Sequence, residues 1–374
     1  MALRINGLAP DNQGATMYWK RNRRAHRPRA LIDRRVVMLA LIALVAVACG
    51  GGEGGDTDTT GATEATSATE TEPEATSASL DEAGAEIQVG VMPFADSVYP
   101  HIAEAEGYFA EEGLTVEMTT FQAGDQLVTA NISGDIHIGF AGVVPQLNAL
   151  SQGAPLTFLA GSGTSNPEPP DGHAILVKAD SDIQGPEDLA GKRVAGNIIG
   201  SVVWLTGLEW LDQNGVDTES VEFAEVPFPQ MGDALLQGDL DAILQLEPFT
   251  SVLESSGDAR VLAYPYYEVN PEMLVFAAAG NTPWVEENPE AVEGFIRAIQ
   301  KAMDLRESDN ELFLDYIAEY TGMERDLASS ITLTQSEIEI DAESLQRTVD
   351  LLLKWEVIDE GFDVAPFVRP IADS

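Results

Sequence analysis

Short apolar segments alternate with amphipathic segments along the chain from Glu86 onward. The apolar segments have the length and composition of strands, and they lie at 87–92, 114–121, 136–141, 155–161 and 173–179. Segments with helical periodicity fall between them, at about 98–110, 124–133 and 144–152. The alternation predicts an α/β unit in which helices sandwich a sheet.

The same alternation starts again after Asp180. Strands are predicted at 193–196, 221–226, 241–246 and 261–267, with helices at about 200–214, 229–238 and 249–255. The segment 272–280 reads as a strand of the first unit, and the remaining chain is predicted to be nearly all helical. Asn288 and Pro289 have the composition of a helix start.

This order predicts two α/β lobes, one inserted into the other. The first lobe comprises 86–180 and 271–374, and the second comprises 181–270. The chain then crosses between the lobes near 179–183 and near 267–272, and these crossings are the expected hinges. Ligands of open α/β sheets bind beyond the carboxyl ends of the strands, so the expected site is the cleft between the lobes.

The first 48 residues have the composition of an export signal. Several arginines precede a run of thirteen apolar or small residues, which is too short to cross a bilayer as a helix. The run ends in an A-x-A cleavage site at 46–48, and the single cysteine, Cys49, follows it directly. Cys49 resembles the lipidated cysteine of bacterial lipoproteins, although that motif usually has leucine where this chain has Ala46.

Alternatives remain open for this leader. The chain can instead be an ordinary secreted protein that is cut at the same bond. Met17 is a second candidate for the true start, and Arg34 with Arg35 allows a twin-arginine export route beside the general one. Residues 49–85 are rich in Gly, Thr, Ser and Glu, which predicts a disordered tether between the lipid-bearing cysteine and the lobes.

Charge excludes one class of function. The chain has 20 basic and 62 acidic residues, and cleavage after Ala48 removes nine of the basic and two of the acidic ones. A mature chain this acidic has no basic surface for neutralising phosphates, so it is not a general nucleic-acid binder. With one cysteine no intrachain disulfide forms, and the fold depends on burial of its core.

Candidate ligand groups lie where predicted strands give way to helices. Gly142 and Val143 form one such junction in the first lobe, and Asn197, Ser201 and Val202 lie in another in the second lobe. Backbone N–H groups at a helix start are unpaired and lie at the positive end of the helix dipole, so two facing junctions can hold a small anion. Ordinary capping by Ser201 is the structural alternative.

The junction after the first strand offers a different chemistry. It contains the aromatic residues Phe94 and Tyr99 and the carboxylate of Asp96. Asp96 can pair with an ammonium or ring amine of a ligand, or it can cap the helix that follows, and the cap is slightly favoured. Four scattered histidines and no recognisable catalytic or metal motif predict neither an enzyme nor a cofactor.

Several longer segments resemble the periplasmic binding proteins of the nitrate, sulfonate and taurine type, which also include pyrimidine-precursor binders. They are EAEGYFAEEGLTVE (104–117), SGDIHIGFAG (133–142), ALSQGAPLTFLAG (149–161), PEDLAGKRVAG (186–196), ALLQGDLDAILQLEPF (234–249) and NPEAVEGFIRAI (288–299). Glu247 falls where this family often reads Trp-Glu-Pro. Here Gln245 and Leu246 precede it, so the aromatic wall implied by the resemblance is absent.

The resemblance implies a bilobed, type II-like periplasmic binding protein of an ABC importer, monomeric and extracytoplasmic. It implies a sulfonate- or taurine-like ligand, and a permease and an ATPase as partners. The alternative ligand is a pyrimidine or thiamine precursor or another nitrogenous solute, and the alternative role is ligand sensing without transport. An enzyme such as the iron-dependent pyrimidine synthases is disfavoured, because it needs a cysteine-rich metal motif.

Overall fold

A computed structural model describes residues 84–371 of the chain, and these residues belong to one compact unit. The export signal, Cys49 and the tether lie outside the described residues. Ten strands occur in the described part. They are β1 (Ala85–Val91), β2 (Leu114–Thr120), β3 (Ile138–Gly142), β4 (Leu156–Thr164), β5 (His173–Lys178), β6 (Arg193–Gly196), β7 (Glu222–Glu225), β8 (Ala242–Leu246), β9 (Ala259–Ala263) and β10 (Leu274–Asn281).

The strands form two five-stranded sheets with equivalent topology. The first has the order β2-β1-β3-β10-β4, and the second has the order β7-β6-β8-β5-β9. In each sheet four strands run in the same direction, while one inner strand, β10 or β5, is antiparallel to both of its neighbours. The predicted architecture of two α/β lobes is therefore present.

Thirteen α-helices surround the sheets in the described part. They are α1 (Tyr99–Ala105), α2 (Tyr108–Glu111), α3 (Gly124–Ser133), α4 (Val143–Ser151), α5 (Val202–Gln213), α6 (Phe228–Gln237), α7 (Phe249–Ser256), α8 (Pro265–Val269), α9 (Thr282–Glu287), α10 (Pro289–Ser308), α11 (Asn310–Thr321), α12 (Arg325–Ala328) and α13 (Ala342–Lys354). Short 3-10 turns lie at Ala95–Ser97, Pro186–Leu189, Thr218–Ser220 and Ala365–Phe367.

Two local predictions differ from the structure for identifiable reasons. The helix predicted at 98–110 is divided into α1 and α2 at Gly107, whose φ of 79° ends a right-handed helix. The strand predicted at 261–267 ends at Ala263, because Pro265 starts the short helix α8. The helix predicted to start at Pro289 is confirmed as α10, with its apolar face buried in the first lobe.

The first crossing between the sheets is not where the sequence predicted it. Strand 173–178 was assigned to the first lobe, but it pairs with β8 and β9 in the second sheet. The crossing consequently lies at 165–172 instead of 179–183. The second crossing, at 264–273, includes the predicted segment. Strand composition alone does not reveal which sheet an apolar strand joins, since the pairing is set by distant partners.

An apolar cluster joins the two lobes to the C-terminal helix. It brings Val143 and Leu147 of α4 together with Trp204 and Leu208 of α5, and Leu345 of α13 packs against the same cluster. Burial of this much apolar surface contributes strongly to stability. Every helix within residues 84–371 is too short or too polar to span a bilayer.

The 330–338 segment, between α12 and α13, is extended, although the sequence predicted helix for nearly all of this region. Gln335 and Thr164 exchange two backbone hydrogen bonds of 2.8 and 2.9 Å, and Gly161 donates its N–H to the carbonyl of Ile338 at 2.9 Å. The segment therefore follows the free edge of β4 and adds to the first sheet. From there it reaches the loops between the lobes.

Candidate ligand-binding site

Asp96 and Glu247 belong to different lobes, and the structure brings both against the 330–338 segment. Asp96 Oδ1 accepts a hydrogen bond from the Thr334 hydroxyl. Glu247 Oε1 accepts the backbone N–H of Thr332 at 3.1 Å. The end of the first strand of one lobe is thus linked through two threonines to the end of a strand in the other lobe.

The cap interpretation of Asp96 is wrong. Val98 occupies the cap position of α1, and no side chain forms a capping hydrogen bond there. The Asp96 carboxylate instead lies over Gly163 of β4, where a Cβ atom would lie 2.4 Å from Oδ1, so any other residue there would displace the carboxylate. Burial is the largest influence on the Asp96 carboxyl and raises its pKa, while the Thr334 hydroxyl and Arg306 oppose that effect.

The two aromatic residues of the same junction differ in exposure. Tyr99 is 3 % exposed, stacks on Phe313 with ring centres 6.2 Å apart, and shares a hydrogen bond with the Ser336 hydroxyl. Burial raises its pKa to about 12. Phe94 is partly buried and packs edge-on against Phe276 at 6.0 Å. The predicted ligand role of Tyr99 therefore falls on a core residue, while Phe94 is only partly buried.

Glu247 lies between β8 and the helix that follows, just before the cap residue Pro248. Its carboxylate accepts the backbone N–H of Ser251 at 3.1 Å and the Ser251 hydroxyl at 2.8 Å, in addition to the bond from Thr332. Burial raises the pKa of Glu247, and these three donors partly compensate. Glu247 is thus both a helix-start acceptor and a contact to the 330–338 segment.

Asp171 was not predicted from the sequence. It lies in the first crossing, only 1 % exposed, and Oδ1 accepts the backbone N–H groups of Gly172 at 2.7 Å and Asn166 at 3.2 Å. Oδ2 has no hydrogen-bond partner among the described residues. Burial is the largest influence and raises the pKa of Asp171 to about 6; backbone N–H groups, including that of Tyr267, oppose it, and the charge of Asp96 adds a smaller rise. The surroundings of Asp171, SNPEPPDG, have the composition of a loop, which gave no signal of a buried acid.

The predicted anion junction of the second lobe is occupied by the chain itself. In the second lobe the backbone N–H of Ile199 donates to the Glu225 carboxylate at 2.7 Å. Ser201 accepts the Trp204 N–H at 3.3 Å as a helix cap and donates to Asn197 Oδ1 at 2.9 Å. The capping alternative for Ser201 is confirmed, and the junction already holds an anion.

Val143 and Val202 contribute apolar packing. Val143 is fully buried in the cluster that joins the lobes, Val202 packs against the same cluster, and Gly142 precedes α4 without a side-chain cap. The structure therefore brings together Asp96, Glu247 and the unpredicted Asp171 near one segment, while the glycine and serine junctions face packed or internally paired surroundings. No group of His, Cys, Asp and Glu within residues 84–371 is arranged to hold a metal ion.

Comparison with known proteins gives the class of the chain. The family described as "NMT1/THI5 like" matches residues 98–308, which is more than half of the chain, and the chain belongs to this family. The periplasmic aliphatic sulphonate binding protein SsuA from Escherichia coli has the same fold. Its TM-score is 0.67 at 23 % identity, over 76 % of this chain and 97 % of SsuA. The predicted periplasmic binding protein fold is confirmed.

Two relatives resemble the chain in sequence. The taurine-binding periplasmic protein of Escherichia coli (strain K12) is 32 % identical over 53 % of this chain and 59 % of the relative. The formylaminopyrimidine-binding protein of Halalkalibacterium halodurans is 27 % identical over 62 % of this chain and 69 % of the relative. The chain thus spans less than two thirds of the taurine-binding relative. Both relatives are named as binding proteins, in agreement with the family predicted from the sequence.

Proposed function

We propose that this chain is an extracytoplasmic solute-binding protein of an ABC importer, without enzymatic activity, that holds a small polar organic solute between its lobes. The main support is that polar groups from both lobes, Asp96 and Glu247, form hydrogen bonds with the 330–338 segment. The names of the two relatives support a binding role.

The ligand class has two candidates. A sulfonate- or taurine-like solute agrees with the name of the taurine-binding relative. A pyrimidine precursor or other nitrogenous solute agrees with the formylaminopyrimidine-binding relative, and the acidic groups near the 330–338 segment favour it. A thermal-shift screen of sulfonates, taurine, nitrate, pyrimidine precursors and flavins tests the proposal. A ligand that binds the native state but not the unfolded state raises the melting temperature. If none of these compounds raises it, the result contradicts a solute-binding role.

Ligand binding is proposed to close the two lobes about the crossings at 165–172 and 264–273. A ligand gains contacts to both lobes only when they meet, so it favours the closed arrangement. Small-angle scattering at saturating ligand should give a smaller radius of gyration. An unchanged profile, with binding established by calorimetry, means that the site lies within one lobe.

Membrane attachment is proposed through a lipid on Cys49, after cleavage of residues 1–48. Fatty-acid labelling and membrane fractionation of the wild type and Cys49→Ala should differ, with only the wild type in the membrane fraction. Equal recovery of both from the soluble fraction removes the lipid anchor and leaves simple secretion.

A permease and an ATPase are the proposed partners of the ligand-bound monomer. Uptake of the identified ligand should require this chain and the permease together. A cell that responds to the ligand but does not import it would instead support the alternative role of a sensing lipoprotein.

A further inference from the structure

Three acidic side chains from separate parts of the chain surround residues 332–334. Asp96 and Glu247 are bonded to this segment directly, through the Thr334 hydroxyl and the Thr332 N–H. Asp171 precedes Gly172, where a Cβ atom would lie 3.5 Å from the Thr334 methyl group. The acids therefore approach the same place from the first lobe, the second lobe and the crossing between them.

Asp171 has one carboxylate oxygen, Oδ2, without a hydrogen-bond partner of normal geometry among the described residues, although the backbone N–H of Tyr267 lies close enough to lower the pKa of this carboxyl group. The Asp171 side chain is 1 % exposed. A buried carboxylate oxygen without a donor is unfavourable, and native proteins rarely retain one without a reason. The charge of Asp96 adds to the effect of burial in raising the pKa of Asp171, so the two carboxyl groups lie within each other's field.

No basic side chain in the described part of the chain is bonded directly to these acids, although the charge of Arg306 acts to lower the pKa of Asp96. Within residues 84–371 no lysine or arginine forms a hydrogen bond or ion pair with Asp96, Asp171 or Glu247. Arg306 is near, but its guanidinium donates to the Thr334 carbonyl and the Ser336 hydroxyl instead. No group of His, Cys, Asp and Glu in the described part is arranged to hold a metal ion.

Aromatic rings lie beside the same acids. The charge of Asp171 contributes to raising the pKa values of Tyr264 and Tyr266, after the larger effect of burial. The Tyr266 ring is 3 % exposed and packs against His173 at 4.6 Å, so the carboxylates are the groups here that attract a positively charged nitrogen. At the opposite junction, where an anionic ligand was predicted to bind, Glu225 already takes the Ile199 N–H and would repel a second anion.

We propose that the ligand of this cleft is an organic cation without an anionic group, whose ammonium or protonated ring-amine nitrogen donates to Asp171 and Glu247. The inference rests on the proposed solute-binding function and specifies its ligand class. It replaces the sulfonate-bearing candidate. The hydroxyl and N–H groups of Thr334 and Thr332 show that two of these acids accept the kind of donor such a ligand carries.

Matched probes separate charge from size. Ethylammonium and benzylammonium are compared with ethanesulfonate and phenylmethanesulfonate, and with taurine, by calorimetry and thermal shift on the whole mature chain. The ammonium probes should bind and the sulfonates should not. Asp171→Asn and Glu247→Gln should each weaken ammonium binding at least about tenfold, a loss typical of removing a charged partner.

Glu225→Gln is the matched control, because it removes an acid of the same size at the opposite junction. It should change ammonium binding by less than about twofold, since Glu225 at the end of β7 is paired with the Ile199 N–H of the neighbouring loop. Sulfonate binding equal to ammonium binding, or full ammonium binding by Asp171→Asn, overturns the inference and leaves solute binding intact. Binding of neither probe class overturns both the inference and the proposed function.

Discussion

The two sides of the junction between the lobes are built from different chemistry. On one side Val143, Trp204 and Leu345 bury apolar surface, and Ser201 and Ile199 are paired within the chain. On the other side lie the carboxylates of Asp96, Asp171 and Glu247, and the hydrogen bonds that they accept offset only part of the cost of burying them. The comparison indicates that the packed side stabilises the lobes, and the acidic side is where we propose that the ligand binds.

The largest expected effect is on the packed side. Trp204→Ala removes a buried side chain, 5 % exposed, from the cluster that joins both lobes and α13. It should lower the free energy of unfolding by about 3–5 kcal/mol, measured by denaturant titration. Affinity for ammonium probes should change little in the folded fraction. A loss of binding with unchanged stability would reverse the roles given to the two sides.

On the acidic side the expected change has the opposite sign. Asp171→Asn should stabilise the chain by up to about 3 kcal/mol above about pH 7, because the buried carboxylate no longer needs to ionise. The pKa of Asp171 rises from 3.8 to about 6 on folding, so the wild type loses this stability as the pH rises through that range. At about pH 4 the difference should be small.

His173 has the opposite effect from Asp171 on how stability depends on pH, over much of the same pH range. Burial lowers its pKa from 6.5 to about 3, so its contribution to stability is present above 6.5 and is lost as the pH falls. Denaturation of Asp171→Asn should therefore reveal a steeper rise in stability between about pH 4 and 6 than the wild type shows. Equal stability of the two proteins at about pH 8 would contradict a buried, ionised Asp171.

Periodicity predicted the strands and helices well because it depends on local sequence. Strand β5 was placed in the wrong lobe because its membership depends on pairing with β8 and β9. Strand β8 begins more than 60 residues after β5 ends. Both lobes contain apolar strands of similar length, so composition does not distinguish them. Long-range pairing, unlike periodicity, leaves no mark in one sequence.

Only part of the candidate site was predicted, again because long-range contacts have no signal in the local sequence. Asp96 and Glu247 were found because they end predicted strands, where ligands of α/β sheets bind. Asp171 and Thr334 were not, since a loop acid and a threonine 238 positions from Asp96 have no local signature. The anion junctions were predicted correctly as helix starts, but Glu225 as the partner of the second-lobe junction depends on the adjacent strand β7.

A moderate effect is expected where the 330–338 segment meets Asp96. Thr334→Val keeps the shape of the side chain but removes the hydroxyl that donates to Asp96. Loss of a donor to a buried carboxylate should cost about 1–3 kcal/mol in unfolding free energy near neutral pH. Thr334→Ser, which retains the donor, is the control. Equal loss in both variants would assign the effect to the methyl group and its packing near Gly172.

The smallest effect is expected at the cap of α5, and it tests whether the packed side has any ligand role. Ser201→Ala removes the acceptor of the Trp204 N–H and should cost about 1 kcal/mol, which thermal denaturation can measure. Ser201→Asp keeps a capping oxygen and should retain most of that stability. Because the proposed cation binds among the acids on the other side, neither variant should change ammonium affinity by more than about twofold. Weaker binding in Ser201→Asp but not in Ser201→Ala would show that an anionic part of the ligand reaches the helix start, and the two sides would then share one ligand.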